Sequence, residues 1–433
     1  MSRSLEPTAR NRLGALVILG AYSLLNLATW WRAEPVTTWD SPRYTGGDIF
    51  TFLNPGVPPT ALFSIVTDLR IATLIQTILY VGAWLSLAMA LLQSLRTSWI
   101  RWPLVTLALL VSLTSPLWSW NLFVGSEGLT VTSLVFWMST LMWLASRSRR
   151  LMLVISGAAA AILLITRPQA ILFVLPIQIV ATVWWARRHS WPSGEITRFV
   201  IPVFLVVLLA TGWAGYRLAL LANDDVFAFR YALNNLVEKE PSFRQYVLKE
   251  APPCEAIPAA LNGPQPWNDV QAFDQTLIGQ CPETFLWFKS DAVSIPTWVL
   301  YDPVAAATNF RDVLWGIALP GGSETSPLPV AIDDVVLPIN HLWLATFIAL
   351  SVGVGLGVLG GIRFQISAMA VLGLTITVIS IAAYLFAVWA ADGYDVIRHM
   401  VPVTPLLPVA ALVLPSGMTG LARPPSTSTR PGH

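Results

Sequence analysis

Charge is what this sequence has least of. Only 12% of its 433 residues are Asp, Glu, Lys or Arg, about half the share of an ordinary soluble domain, which excludes a water-solvated globule as the main body of the chain. With a net charge of +2 and no Lys/Arg-rich block, there is no electrostatic footprint for nucleic acid, so DNA and RNA are set aside as partners. Cysteine is nearly absent: Cys254 and Cys281 are too few for a disulfide framework or a structural zinc site. The histidines, at 189, 341, 399 and 433, stand at no metal-ligand spacing, which leaves zinc unsupported. No Walker motif is present, so ATP-driven work is not expected. Residues 355–360 spell G-x-G-x-x-G but lie inside an apolar run with no preceding strand; their glycines are read as sites of close helix packing.

What fills the chain instead is apolar. Hydrophobic residues make up 55% and the mean hydropathy is +0.62. Apolar runs read as spans, against about 20 residues for a typical spanning helix, fall at 13–31, 71–93, 102–120, 122–145, 151–166, 169–186, 199–221, 339–361, 365–390 and 400–414. The expected fold is an all-α polytopic membrane protein of about ten transmembrane helices with an extracytoplasmic loop domain. The first run exceeds the h-region of a signal peptide and no small-residue cleavage site follows it, so it is read as a retained span.

Basic residues orient the spans. The segments on one side collect Arg3, Arg10, Arg12, Arg96, Arg101, Arg147, Arg149, Arg150, Arg187, Arg188, Arg198, Arg363, Arg423 and Arg430, while holding only Glu6 and Glu195 of the 24 acids. By the positive-inside rule both termini face the cytoplasm and the remaining acids face outward. Tryptophans at 30, 31, 118, 120 and 389 mark outer helix ends, and those at 99, 102, 143, 184 and 185 inner ones, as expected of aromatics at headgroup depth. The expected location is therefore the cytoplasmic membrane, multi-pass.

Four parts follow: an N-terminal transmembrane module, 1–221, with a first outer loop at 32–70; an extracytoplasmic domain, 222–338; a C-terminal transmembrane module, 339–414; and a Pro/Ser/Thr-rich tail, 415–433, read as disordered. Both cysteines fall in the outer domain. An oxidising compartment permits a Cys254–Cys281 disulfide; two unpaired thiols is the other reading.

Ionisable residues at membrane depth or just outside it are costly and usually functional. Here they converge on the outer face: Asp40 and Asp48 in the first outer loop, Glu127 at the outer start of span four, Arg167 between spans five and six, and Arg398-His399 before span ten. Asp40, flanked by Trp39 and Tyr44, is placed to act as a general base; its plainer reading is a solvated loop charge or an N-cap. Arg167 and Arg398 suit phosphate as planar bidentate donors, or else snorkel to the interface, which is also the main reading of Arg217. The apolar stretch 49–66 is broken by Asn54-Pro55-Gly56 and Pro58-Pro59 and is read as a helix lying in the interface rather than a further span.

The order Asp40, Tyr44, Pro58-Pro59, Gly125-Ser126-Glu127, Ile165-Thr166-Arg167-Pro168 and Ile397-Arg398-His399-Met400-Val401-Pro402 resembles the GT-C superfamily of integral-membrane glycosyltransferases. Within it, the nearest likeness is to protein O-mannosyltransferases and bacterial lipid-A aminoarabinose transferases, over about 10–190 and 340–415. The resemblance implies inverting transfer of a sugar from a polyprenyl-phosphate donor to a glycan, lipid or protein acceptor on the outer face. It implies Asp40 as base, Arg167 and Arg398 on the lipid phosphate, and Asp48, Tyr44, Glu127 and His399 in substrate binding. No cofactor beyond the donor lipid is expected, and dependence on a divalent ion stays open. The chain departs from the family in having Asp40-Ser41 where many members carry two adjacent acids, and His399 where a tyrosine is common. The alternative function is a transporter or flippase for a lipid-linked glycan or small solute; it would place charges near the membrane midplane, where this chain has few.

Overall fold

The computed structural model describes residues 9–37, 41–45, 57–94, 98–146, 150–188, 194, 196–223, 242–255, 279–293, 297–318, 327 and 379–389. Among them the chain is helical and no strand forms; the one extended pairing is a single bridge between Val36 and Phe123.

In chain order the elements are α1 (Ala9–Arg32), α2 (Pro42–Thr45), α3 (Val57–Ile65), α4 (Leu69–Ser94), α5 (Ser98–Ser112), α6 (Ser115–Trp118), α7 (Glu127–Ser146), α8 (Arg150–Thr166), α9 (Ile171–Arg188), α10 (Ile201–Asn223, led in by a π turn at Ile196–Val200), α11 (Ser242–Glu250), α12 (Pro282–Val293), α13 (Thr297–Tyr301), α14 (Pro303–Ala318) and α15 (Ile379–Trp389). Three stretches, Gly14–Arg32, Leu69–Gln93 and Arg198–Ala219, are long and apolar enough to cross a membrane. They mark the chain as a membrane protein.

Local chemistry sets the boundaries. Pro58 and Pro59 occupy the first turn of α3, where a missing N–H removes no helical bond. Asp68 caps α4, its Oδ1 accepting from the backbone N–H of Arg70 at 2.8 Å and of Ile71 at 3.2 Å. The run expected to span 102–120 instead stops at Ser112. There Ser112 and Thr114 hydroxyls bond back to the carbonyls of Leu109 and Val111 at 2.6 and 2.7 Å, competing with the helix ladder. Pro116 then has no N–H to donate to the Ser112 carbonyl, so α5 is not extended. The chain re-forms as α6 and a 3-10 turn, Ser119–Asn121. The run expected from 122 becomes helical only at Glu127, because Leu122–Val124 is engaged elsewhere: Val36 N–H donates to the Leu122 carbonyl at 2.8 Å, and Val124 N–H to that of Val36 at 3.0 Å.

Two apolar clusters hold the helices. One joins α1, α4, α5, α6 and α7 through Tyr22, Tyr80, Trp84, Leu109 and Trp118. It is stitched by polar contacts that need no charge: Tyr22 Oη to Ser112 Oγ at 2.9 Å, Tyr80 Oη to the Ser112 carbonyl at 2.6 Å, and Trp118 Nε1 to Asn26 Oδ1 at 2.9 Å. The other joins α7 to α10 and continues into α11–α15. At its centre Gln178 Oε1 accepts from Trp137 Nε1 at 2.9 Å and Ser156 Oγ at 3.0 Å, and α8 meets α10 where Gly157 abuts Val203.

The described part of 222–338 shares that second core. Cys254 and Cys281 are disulfide-bonded, with Cα atoms 5.7 Å apart, joining the segment after α11 to the start of α12. Phe243, Tyr246, Trp287, Phe288 and Trp298 stack between α11, α12 and α13. Trp298 and Phe310 then meet Trp389 of α15 at 5.2 and 5.1 Å between ring centroids, and Trp389 Nε1 donates to Asn309 Oδ1 at 2.7 Å.

Candidate functional site

The Gly125-Ser126-Glu127-Gly128 segment forms the start of α7, and its glycines are required by crowding. A Cβ on Gly125 would sit 2.5 Å from the Phe123 ring and 2.7 Å from the Glu127 carboxylate; one on Gly128 would collide with the Gln76 amide and lie 2.5 Å from the Trp120 carbonyl. Ser126 and Glu127 are buried. The Ser126 carbonyl accepts from Thr130 twice, from its N–H at 2.9 Å and its hydroxyl at 2.7 Å, which fixes the first turn.

Arg167 reaches the same turn from the end of α8. Pro168 forces the preceding residue out of helical geometry, and Arg167 is extended at φ −138°, ψ 91°. Its guanidinium is drawn inward: the residue is 6% exposed, NH1 donates a long hydrogen bond to Ser126 Oγ at 3.4 Å, and Nε and NH2 have no hydrogen-bond partner. The phenol of Tyr384 in α15 stands against this guanidinium, its ring edge-on to Phe173 at 5.1 Å. A buried cation with unused N–H donors beside a helix N-terminus favours an anion.

The segment 41–45 is fastened to the same place. Ser41 Oγ donates to the Val124 carbonyl at 2.9 Å, one residue before the glycine motif. Tyr44 is buried with Phe63, Ala72 and Val124, and its carbonyl accepts from Ser64 Oγ at 2.9 Å; its position is that of a loop anchor. Asp40, whose successor in the sequence is Ser41, lies outside the described residues, as do Asp48, Arg398 and His399. Of the residues singled out from the sequence, the structure thus gathers Tyr44, Glu127 and Arg167. Arg217 belongs elsewhere, buried in α10 with its guanidinium 5.8 Å from the Trp213 ring centroid.

Four contributors were given no site role from the sequence: Ser126 and Ser41, named there only within motifs, and Gln76 and Tyr384. Gln76 is fully buried in α4 and its Nε2 donates to the carbonyls of Trp120, Asn121 and Phe123 at 2.8, 3.1 and 3.4 Å, holding the loop that precedes α7. A signal existed for it, an amide near the start of an apolar span; Tyr384 had none, since its meeting with Arg167 bridges 217 positions of sequence. Among the described residues no group of three or more His, Cys, Asp or Glu is disposed to hold a metal ion.

Comparison with known proteins returns no matching family model, no matching curated protein and no matching solved structure.

Proposed function

We propose that the protein is an inverting glycosyltransferase that takes a sugar from a polyprenyl-phosphate donor on the outer face of the cytoplasmic membrane. In this reading the chain has ten spans with both termini cytoplasmic, and the linkage of the first outer loop to the start of α7 forms the floor of the site. The observation that supports it most is Arg167, a buried guanidinium with Nε and NH2 unpartnered beside the N-terminus of α7. A lipid phosphate would meet both needs at once: bidentate N–H donors and a positive dipole end in a low-dielectric setting.

The acceptor hydroxyl oxygen attacks the anomeric carbon from the face opposite the phosphate and its proton passes to Asp40. The bond from the anomeric carbon to the phosphate oxygen breaks, and its electron pair leaves on the lipid phosphate. Arg167 and Arg398 stabilise that charge as it develops, while Asp48, Glu127 and His399 orient hydroxyls of sugar or acceptor. The tie from Ser41 to Val124 holds Ser41 next to the start of α7, and in this reading Asp40, its predecessor in the sequence, serves the same site.

The test is sugar transfer by the purified full chain from a panel of polyprenyl-phosphate sugars, wild type against Asp40→Asn. The isosteric amide cannot take the proton, so transfer should fall by about 10²–10⁴-fold while donor affinity stays within about twofold of wild type. Equal turnover by the two proteins rejects Asp40 as base. Movement of donor lipid across the membrane without transfer favours a transporter.

A further inference from the structure

In the glycosyltransferase reading Arg167 serves the phosphate and Asp40 the acceptor, and neither recognises the sugar. Around the turn that Arg167 reaches, the described residues include side-chain amides with unused hydrogen-bonding capacity. Asn121, fully buried in the turn before α7, has neither Oδ1 nor Nδ2 bonded. Gln76, also fully buried, commits its Nε2 to three carbonyls, which fixes the amide plane and leaves Oε1 unpartnered. Two residues after Arg167, in the turn leading to α9, half-buried Gln169 has an unpartnered Oε1.

Gln76 meets the first turn of α7, which the Arg167 guanidinium also reaches; Asn121 belongs to the turn that leads into it, and Gln169 follows Arg167 by two residues. The Gln76 amide abuts Gly128, and Ser126, two residues earlier, accepts from Arg167. Buried polar atoms without partners are rare because they forfeit their hydration, and a primary amide offers both a donor and an acceptor, the complement of a sugar hydroxyl. Half-buried Trp120, its ring centroid 5.1 Å from that of Phe123, adds an aromatic surface of the kind that lines small-molecule sites.

We infer that Asn121, Gln76 and Gln169 form the sugar subsite, resting on the glycosyltransferase reading, and that its ligand is an uncharged, hydroxyl-rich sugar. The Asn121 amide donates to one hydroxyl and accepts from another, and the Gln76 and Gln169 Oε1 atoms accept hydroxyl protons. Neutral amides leave a carboxylated or phosphorylated sugar no added counter-charge beyond Arg167, which the lipid phosphate already occupies.

The experiment titrates the full chain in lipid nanodiscs with polyprenyl phosphate and with polyprenyl-phosphate mannose, glucose and arabinose, for wild type, Asn121→Leu, Gln169→Leu and Arg167→Ala. Wild type should prefer at least one glycosylated lipid over bare polyprenyl phosphate. Asn121→Leu should cut that preference about tenfold, the value of one good hydrogen bond, with affinity for the bare lipid unchanged and no fall in melting temperature, because the amide makes no bond within the protein. Gln169→Leu should act in the same direction. Arg167→Ala should weaken both lipids alike. Wild-type preference retained in both leucine variants overturns the subsite while leaving the glycosyltransferase reading standing. A wild-type chain that binds neither lipid and transfers from no donor overturns that reading and the subsite with it.

Discussion

Helices α4 and α10 are alike in the sequence and opposite in the fold. They run for 26 and 23 residues, both apolar enough to span a membrane, yet 56% of an apolar 18-residue segment within Leu69–Gln93 is buried inside the protein against 22% of one within Arg198–Ala219. The buried helix carries Thr73, Gln76, Thr77 and Tyr80 on one face, three to four residues apart, which is the helical repeat. The exposed one presents Phe204, Leu205, Val206, Leu208 and Leu209, a surface that lipid chains can cover. Apolarity therefore identifies a span and says little about its neighbours. In hydrocarbon a polar side chain needs a protein partner, so the polar stripe marks the face turned toward protein neighbours: Thr73 meets Trp30, Tyr80 meets Ser112, and Gln76 meets the turn before α7.

The glycines of the two settings give the sharpest way to break the comparison. Gly128 lies where α7 meets α4, with no room for a Cβ between the Gln76 amide and the Trp120 carbonyl. Gly128→Val should destabilise by about 3 kcal/mol, at the upper end for an overpacked interior, and abolish sugar transfer by moving Ser126 and Glu127. Thermal unfolding of purified protein, followed with transfer assays, checks it; an unchanged melting temperature would mean that α4 and α7 are not packed as described.

Among the described residues hydropathy made five helices legible because a span is a local property: α1, α4, α8, α9 and α10 lie within a few residues of the runs that foretold them, while the runs at 339–361 and 400–414 and most of 365–390 lie outside the described residues. The interval 113–126 was not legible. Its breaks come from Ser112, Thr114 and Pro116 acting within a mostly apolar run, and from a backbone pairing with Val36, a partner almost ninety residues away. In the site, Glu127 and Arg167 stood out because ionisable groups beside apolar runs are rare. Ser126, Gln76 and Tyr384 are ordinary residues that become significant only through contacts between distant helices.

A milder change sharpens what the polar stripe of α4 does. Gln76→Leu keeps the volume but removes the donor to three carbonyls. Those of Trp120 and Phe123 retain other partners, from the N–H groups of Phe123 and Gly125, so the loss falls mainly on Asn121. The expected cost is about 1–2 kcal/mol, with a larger relative fall in transfer than in stability, since the loop carrying the α7 turn loosens before the bundle does. Unfolding midpoints and kcat measured on one preparation distinguish this from a stripe that serves packing alone, for which the two would fall together.

The smallest effect belongs to the exposed helix and tests the other half of the comparison. Gly212 in α10 has open space where a Cβ would go, so Gly212→Ala meets no neighbour and gains helix propensity, up to about 1 kcal/mol in an exposed helix interior. The melting temperature should stay level or rise slightly, and transfer should not change, because α10 presents that surface to no described part of the site. A loss of stability comparable to that of Gly128→Val would mean that α10 is covered by protein in the membrane, a second copy or another chain, rather than by lipid. The contrast between the two helices would then lie in which partner each one meets, and the polar stripe would remain the feature that tells an intramolecular face from an intermolecular one.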